Sequence, residues 1–482
     1  MITQGKSTVC ACSMIVLIAL FDASPAVGQK GSPEVTIPDA PASHLIAQEP
    51  ELGSPGSGPA GNQATGAVSN PSSDQLPKLT RAQAEQMAIK NNPRVSVAHL
   101  LALAQHQVVR ETRSAELPTA NASLTAVDAE NGSRISAGYL TASSLFEHAG
   151  AGGSFTQLIT DFGKTVNLVA SSKLQEKAQN SNAQATQDDI ALATDQAFYE
   201  TLQAQTLLQV ARQNVTTRQT LESQVSQMTL NKLKSTLDLS FADVNLSQAK
   251  LLLLDAQNNA DSSMAALDAV LGLDHLVAYE LTDDNANTTL PPNLDQLIEQ
   301  GLQQRPDLQA MKFSQEAATK LSRAQRDQMF PTVSAAGTAG SVPIRPDQSY
   351  TANWWGAVGV NVNVPIFNGF LYSAQAKEAA IRAQAATEQT RDLRNRIVRD
   401  VRTAWLAANS SFQRVSVTAE LLNQANLALK LAQARYQMGL SSIVELSQAE
   451  YQQTDAAIGN TNAQYQYRLA LATLNYQIGS TP

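Results

Sequence analysis

From Val358 to Val364 the residues alternate strictly, with Val358, Val360, Val362 and Val364 on one side and Gly359, Asn361 and Asn363 on the other. Period two predicts a strand with one apolar and one polar face. Trp354 and Trp355 stand at one end, with Tyr350 just before them. Amphipathic rings favour a membrane–water boundary, so these three are candidate interface anchors. Pro365 stops the ladder at the other end, because it has no N–H to donate. After Gly369 the period becomes helical, and neither Gly nor Pro interrupts Phe370 to Met438. At 1.5 Å per residue that run makes a rod of roughly 100 Å. Within it Leu421, Ala425, Ala428 and Ala432 keep a 4-3-4 spacing, while Leu422, Leu429 and Tyr436 recur every seven. Two adjacent seams predict a helix packed on both flanks.

The same order of elements occurs earlier in the chain. Thr80 with Gln83 forms a capping-box pattern, a helix ends before Pro93, and a second runs on toward Leu117-Pro118. Ala122, Leu124 and Ala126 then alternate with Asn121, Ser123 and Thr125. Asn131-Gly132 is a turn signal, and Gly150, Gly152 and Gly153 precede a second strand at Phe155–Ile159. We therefore expect two strands joined by an exposed loop. No Gly or Pro occurs between Lys164 and Leu271, which predicts long helices turning once near Asn231-Lys232.

The spacings match between the halves. Pro93 to Pro118 is 25 residues, as is Pro306 to Pro331; Asp161 to Asp238 is 77, as is Asn368 to Glu445; Asp238 to Gly272 is 34, as is Glu445 to Gly479. Such matches indicate an internal duplication. We place a first repeat at 79–280, with strands within 119–160 and helices at 163–230 and 235–271. A second is placed at 290–479, with strands within 331–365 and helices at 370–438 and 441–478.

Composition narrows the class. Residues 1–28 carry Lys6, an apolar run from Met14 to Phe21 and small residues to Gly28, the pattern of a signal peptide. Residues 29–78, rich in Pro, Gly and Ser, read as a disordered leader. Cys10 and Cys12 are the only cysteines and fall within the signal, so a mature chain cut there has no thiol chemistry. A formal net charge of −8 without a basic cluster argues against nucleic acid. No later stretch is apolar enough for a transmembrane helix. Four strands per chain cannot close a barrel, and open edges in lipid leave unpaired backbone groups at several kcal/mol each. Sister copies must then complete it.

Leu158-Ile-Thr-Asp-Phe-Gly163 and Val364-Pro-Ile-Phe-Asn-Gly369 mark the two strand-to-helix joins, and Arg435 to Leu446 a distal turn. With these motifs at these spacings, the chain resembles the TolC family of outer-membrane efflux channels over nearly all of residues 79–479. The resemblance implies a mainly α fold with membrane β-structure. In it, duplicated coiled coils form a periplasmic α-barrel, and four strands per chain contribute to a trimeric twelve-stranded barrel in a Gram-negative outer membrane. It implies a passive exit duct in a tripartite system, working with a periplasmic adaptor and an inner-membrane RND pump or ABC exporter. Type I protein secretion is the nearest alternative, and a soluble periplasmic coiled-coil scaffold a more distant one.

The resemblance also assigns roles. Glu445 matches an acidic ring at the periplasmic entrance, Asp238 is its first-half equivalent, and Gln448 stands where a second carboxylate is expected. Tyr436 matches a tyrosine of the entrance-closing contacts, whereas Ser441 replaces an arginine there. Arg435, Gly439, Leu440 and Leu233 fall in the turns that dock the adaptor, with Thr229 and Lys232 departing from the expected Tyr and Gly. Asp161, Gly163, Pro365, Asn368 and Gly369 belong to the strand–helix joins. His99 and His106, seven apart, do not make a metal site, and there is no catalytic constellation or phosphate loop. We expect no enzyme activity and no cofactor.

Overall fold

A computed structural model of the protein describes residues 78–130, 134–137, 140–144, 148–273, 279–282, 293–341 and 354–480. The signal peptide, all of the leader but Lys78, and the candidate anchor Tyr350 lie outside the described residues. The chain opens with β1 (Lys78–Leu79), α1 (Arg81–Asn91) and α2 (Pro93–Ser114). Thr80 and Gln83 close a capping box on α1, and Asn92 caps α2 by accepting from the Arg94 N–H at 3.0 Å. There follow β2 (Thr119–Val127), β3 (Arg134–Ala137), β4 (Leu140–Ser144) and β5 (His148–Thr160). Next are α3 (Lys164–Leu230), α4 (Thr236–Leu271) and β6 (Glu280–Leu281). The remainder is α5 (Leu294–Gln304), α6 (Pro306–Asp327), β7 (Thr332–Ser341), β8 (Trp355–Asn363), α7 (Leu371–Gln437) and α8 (Ile443–Gln477). The longest helices, α3 and α7, have 67 residues each.

Two features were not expected. β1 pairs in parallel with β6, Lys78 opposite Glu280 and Leu79 opposite Leu281. The connection between β2 and β5 holds a small antiparallel hairpin, β3–β4. A connection of that length pairs its own backbone groups instead of leaving them open. Gly150, Gly152 and Gly153 do not precede the second strand but belong to it.

Strand order sets helix order. The main sheet runs β2-β5-β7-β8, antiparallel throughout. The helices attached to those strands keep the sequence: α2 packs on α3, α3 on α6, and α6 on α7. Toward the far end α4 and α8 take over beside α3, and α8 packs on α7. Each half thus supplies one continuous rod and one rod made of two helices. The broken rods meet at similar joints. Asn92 Nδ2 donates to the Val270 carbonyl at 3.0 Å, tying the start of α2 to the end of α4. Gly272 there has φ +72°, and a Cβ would lie 2.9 Å from the Asn91 carbonyl oxygen. Gly479, with φ +70°, plays the same part after α8, where a Cβ would lie 3.0 Å from the Arg305 nitrogen. Both positions need positive φ and a close backbone approach, which only glycine combines without strain.

The seams of α7 are sorted differently from the spacing-based reading. Ala425, Ala432 and Tyr436 are buried and share a stripe with half-buried Leu422 and Leu429, a 3-4-3-4 pattern facing the rest of the chain. Leu421 and Ala428 are exposed, with Val417 and Leu431 on the same side. Ala425 and Ala432 were grouped with the wrong neighbours because alanine fits both stripes. At the opposite edge, α4 exposes Leu237, Phe241, Val244 and Leu251, again at heptad spacing. The edges of the four-rod layer are therefore apolar, and β2 and β8 each pair on one side only.

Candidate functional site

The strand register extends the Val358–Val364 alternation across the whole sheet. Directly opposed residues of antiparallel strands share a face. Val358 therefore shares one with Gly337, Phe155 and Ala120, and Ala339 with Gly153 and Ala122. The other face carries Asn361 with Ser334, Gly359 with Ala336, Thr156 and Thr119, and Thr338 with Ser154 and Asn121. One face is mainly Val, Ala, Phe and Gly, with Gln157 level with Val360; the other is mainly Asn, Ser and Thr with small Ala and Gly, and Leu158 level with Asn361. The apolar side is not covered by the chain itself: Val358 is 91% exposed. Such a sheet separates water from a nonpolar phase.

The joins turn each strand into its helix. Asp161 is buried and accepts from the Thr165 N–H at 2.7 Å and the Thr165 hydroxyl at 2.5 Å, serving as a cap for α3. Gly163 (φ +109°) lies beside Asp327, which accepts from Asn167 Nδ2 at 2.7 Å. Phe162 leans on Phe330, with centroids 6.3 Å apart. The second join lacks such support. After Pro365, Gly369 and Phe370 both have positive φ, and the Leu371 N–H bonds the Asn368 carbonyl at 3.2 Å. Ile366, Phe367 and Phe370 remain exposed. The first join packs on α6, whereas the second faces outward at the edge of the layer.

At the far end two helical hairpins form the tips. Ser235 and Ser442 cap α4 and α8, and Asp238 and Glu445 occupy equivalent places in the first turns, where carboxylates complement the helix dipole. Asp238 completes a capping box with Ser235. Glu445 Oε1 lies 3.1 Å from Arg435 Nε across the turn, so the candidate ring acid already has a counterion. Gln448 is exposed beside it. Gly439 (φ +73°) ends α7, with the Leu440 N–H on the Arg435 carbonyl at 2.8 Å. Leu440, Leu233 and Met438 project into solvent.

Tyr436 sits in a buried tip core with Val225, Ala242, Ile443 and Leu446. Among the described residues its hydroxyl has no hydrogen-bond partner, and neither has the buried Ser441 Oγ. Burial, and secondarily the charge of Asp238, pushes the Tyr436 phenol above its ordinary pKa. Lys234 Nζ lies 4.1 Å from the Tyr436 ring centroid, a cation–π contact not anticipated from sequence.

A second unanticipated contact lies further up the tip. Arg218 of α3 and Glu450 of α8 form an ion pair with side chains only 8% and 4% exposed. Arg218 Nε also faces Asn214 Oδ1 at 3.4 Å. Burial lowers the Arg218 pKa against the pull of Glu450, and burial raises the Glu450 pKa against the pull of Arg218. A cavity of about 590 Å³, lined by Gln213, Thr217, Gln433 and Gln453 among others, adjoins the pair.

The two tip turns are unequal. Lys232 holds φ +59°, the conformation that Gly439 supplies in the other hairpin. A left-handed residue with a Cβ costs about 1–2 kcal/mol. Lys232→Gly is expected to stabilise this turn by about 1 kcal/mol, less what glycine loses in unfolded-state entropy. Hydrogen exchange at the Leu233 N–H, bonded to the Met228 carbonyl at 2.8 Å, should slow several-fold. Unchanged exchange would show that the backbone there is not strained.

Comparison with known proteins agrees with this layout. The family model described as "Outer membrane efflux protein" matches residues 297–480, from α5 to the end of α8. The outer membrane protein TolC of Escherichia coli (strain K12) is 24% identical over 365 residues, covering 70% of this chain and 73% of the relative. The outer membrane protein OprJ of Pseudomonas aeruginosa is 24% identical over 420 residues, 82% of each chain. The C-terminal part of the chain is thus similar to outer membrane efflux proteins, and the relatives extend that likeness over most of its length. Solved structures share the fold of this chain. CusC superposes with a TM-score of 0.74 at 19% identity, covering 83% of this chain and 92% of its own. VceC of Vibrio cholerae gives 0.72 at 19% identity, covering 83% and 96%. These relatives and the VceC neighbour are all named as outer membrane proteins.

Proposed function

We propose that the protein is the passive exit duct of a tripartite export system for small molecules. Three copies would close a twelve-stranded barrel in the outer membrane and continue it as a helical tunnel across the periplasm. The observation that carries this reading is the two-faced sheet with both edges unpaired, whose strand order passes unchanged into long rods with apolar edges. A sister copy would pair β8 with β2 and set α7 against α2 and α4, covering the exposed apolar residues there. Every sheet edge then disappears. The chain does no chemistry in this role; an inner-membrane RND pump or ABC exporter supplies the energy. A periplasmic adaptor docks on the turns carrying Arg435, Gly439, Leu440 and Leu233.

Glu445 and Asp238, repeated three times, would bias the entrance toward cations by focusing negative potential. Arg435, in contact with Glu445, tempers that bias. The test is to purify the protein in detergent, measure its mass and record conductance in a planar bilayer. A conducting trimer is expected; a water-soluble monomer without conductance would refute the duct. Glu445→Gln with Asp238→Asn should lower cation preference, and Arg435→Gln should raise it. Reversal potentials that stay put would remove the acidic-ring role while leaving the duct intact.

A further inference from the structure

Trp354 and Trp355 are adjacent, and on a strand adjacent residues point to opposite sides. The β7–β8 register is unbroken from Thr332 opposite Asn363 to Gly340 opposite Trp355. Trp355, the first residue of β8, therefore shares a face with Ala357, Gly359, Asn361 and Asn363, and extended backbone continued one residue back would put position 354 on the side of Val358, Val360 and Val362. On this register the two indoles would divide the anchor role expected of both.

We propose that Trp355 faces the water-filled interior and offers departing organic cations an aromatic contact near the outer mouth, leaving Trp354 as the lipid-side anchor. The inference rests on reading the sheet as one third of a barrel. Eight residue steps separate Trp355 from Asn363, about 27 Å along the strand. At a strand tilt of about 35–45° that rises roughly 19–22 Å along the barrel axis, most of an apolar band roughly 25 Å tall. Since the helices leave from the Asn363 end, Trp355 lies at the outer boundary. Its row across the sheet is Gly340, Gly152 and Ser123, none of which fills space beside the indole. Gly340 has no room for more, because a Cβ would lie 2.8 Å from the Ala151 carbonyl oxygen. The indole is 44% exposed. Between this row and the Asn363 row none of the four strands carries a charged side chain. The indole faces are thus the strongest attraction for a cation in that section, and threefold symmetry places three at one height.

The chain's three tryptophans make the test direct. Trp354→Phe with Trp405→Phe leaves Trp355 as the only fluorophore, and Trp355→Phe with Trp405→Phe leaves Trp354. Each trimer is placed in phosphatidylcholine vesicles with dibrominated acyl chains, and separately exposed to acrylamide in water. Trp354 should be quenched by the brominated lipid and Trp355 by acrylamide. Quenching of Trp355 by lipid as strongly as Trp354 would overturn the assignment. In planar bilayers, tetraethylammonium block should weaken about two- to five-fold in Trp355→Ala and persist in Trp355→Phe. Equal block in wild type and Trp355→Ala would overturn the cation contact. If neither indole is reached by lipid and no variant conducts, the barrel reading falls and takes this inference with it.

Discussion

Val358→Arg should remove the folded protein from the outer membrane, whereas Asn361→Arg should leave assembly intact. The two positions are three residues apart on one strand and both are exposed in the single chain. Their row partners separate them: Val358 lies level with Gly337, Phe155 and Ala120, whereas Asn361 lies level with Ser334 and Leu158 on the face that carries most of the Asn, Ser and Thr residues. An arginine on the lipid face near mid-bilayer costs about 2–4 kcal/mol, and the proposed trimer would carry the change three times. On the lumen face the same side chain stays in water and adds a ring of positive charge. The check is the yield of assembled trimer in outer-membrane fractions, with reversal potentials for Asn361→Arg shifted toward anions. Wild-type assembly of Val358→Arg would mean that the valine face does not meet lipid.

Val358 and its neighbours also show what can be read without coordinates. Alternation is a local property, so β8 and β2 were visible in the sequence, as were the caps at Thr80 and the ends of the uninterrupted helices. The partners of those elements were not visible. Nothing local says that Leu421 faces outward while Ala425 faces α8, since alanine satisfies either seam. The same gap hid the proposed split of Trp354 from Trp355, although alternation carried four residues back from Val358 would have suggested it. At the helical tips, spacing put Glu445 and Asp238 in equivalent places but did not reveal the Arg435 contact, which depends on how tightly the turn closes. Arg218 and Glu450 were missed for another reason: exposed charges on long helices are ordinary. A signal did exist. Arg218 stands seven residues from both Ala211 and Val225, and Glu450 seven after Ile443. Each charge occupies a seam position, and those neighbours are all buried.

That placement leads to the second large effect. Arg218→Met leaves Glu450 buried without a counterion, and breaking a buried pair from one side costs about 3–5 kcal/mol. Removing both partners with Arg218→Met and Glu450→Leu should recover most of the loss, because the desolvation of two charges disappears with their attraction. Both pKa directions agree that desolvation outweighs the attraction here. The single variant should also gain a pH dependence. Glu450 titrates above its unfolded value, so the folded state holds more protons between the two pKa values and stability falls as pH rises through that window. Losing Arg218 raises the folded pKa further, and the Arg218→Met defect should therefore shrink on acidification. Thermal unfolding of the purified trimers under matched conditions, at neutral pH and near pH 5, measures both effects. A trimer of this size need not unfold in two states, so the comparison is of midpoints and their non-additivity. If the two single changes simply add in the double variant, the pair is not coupled, and α8 is held on α3 by its apolar stripe alone.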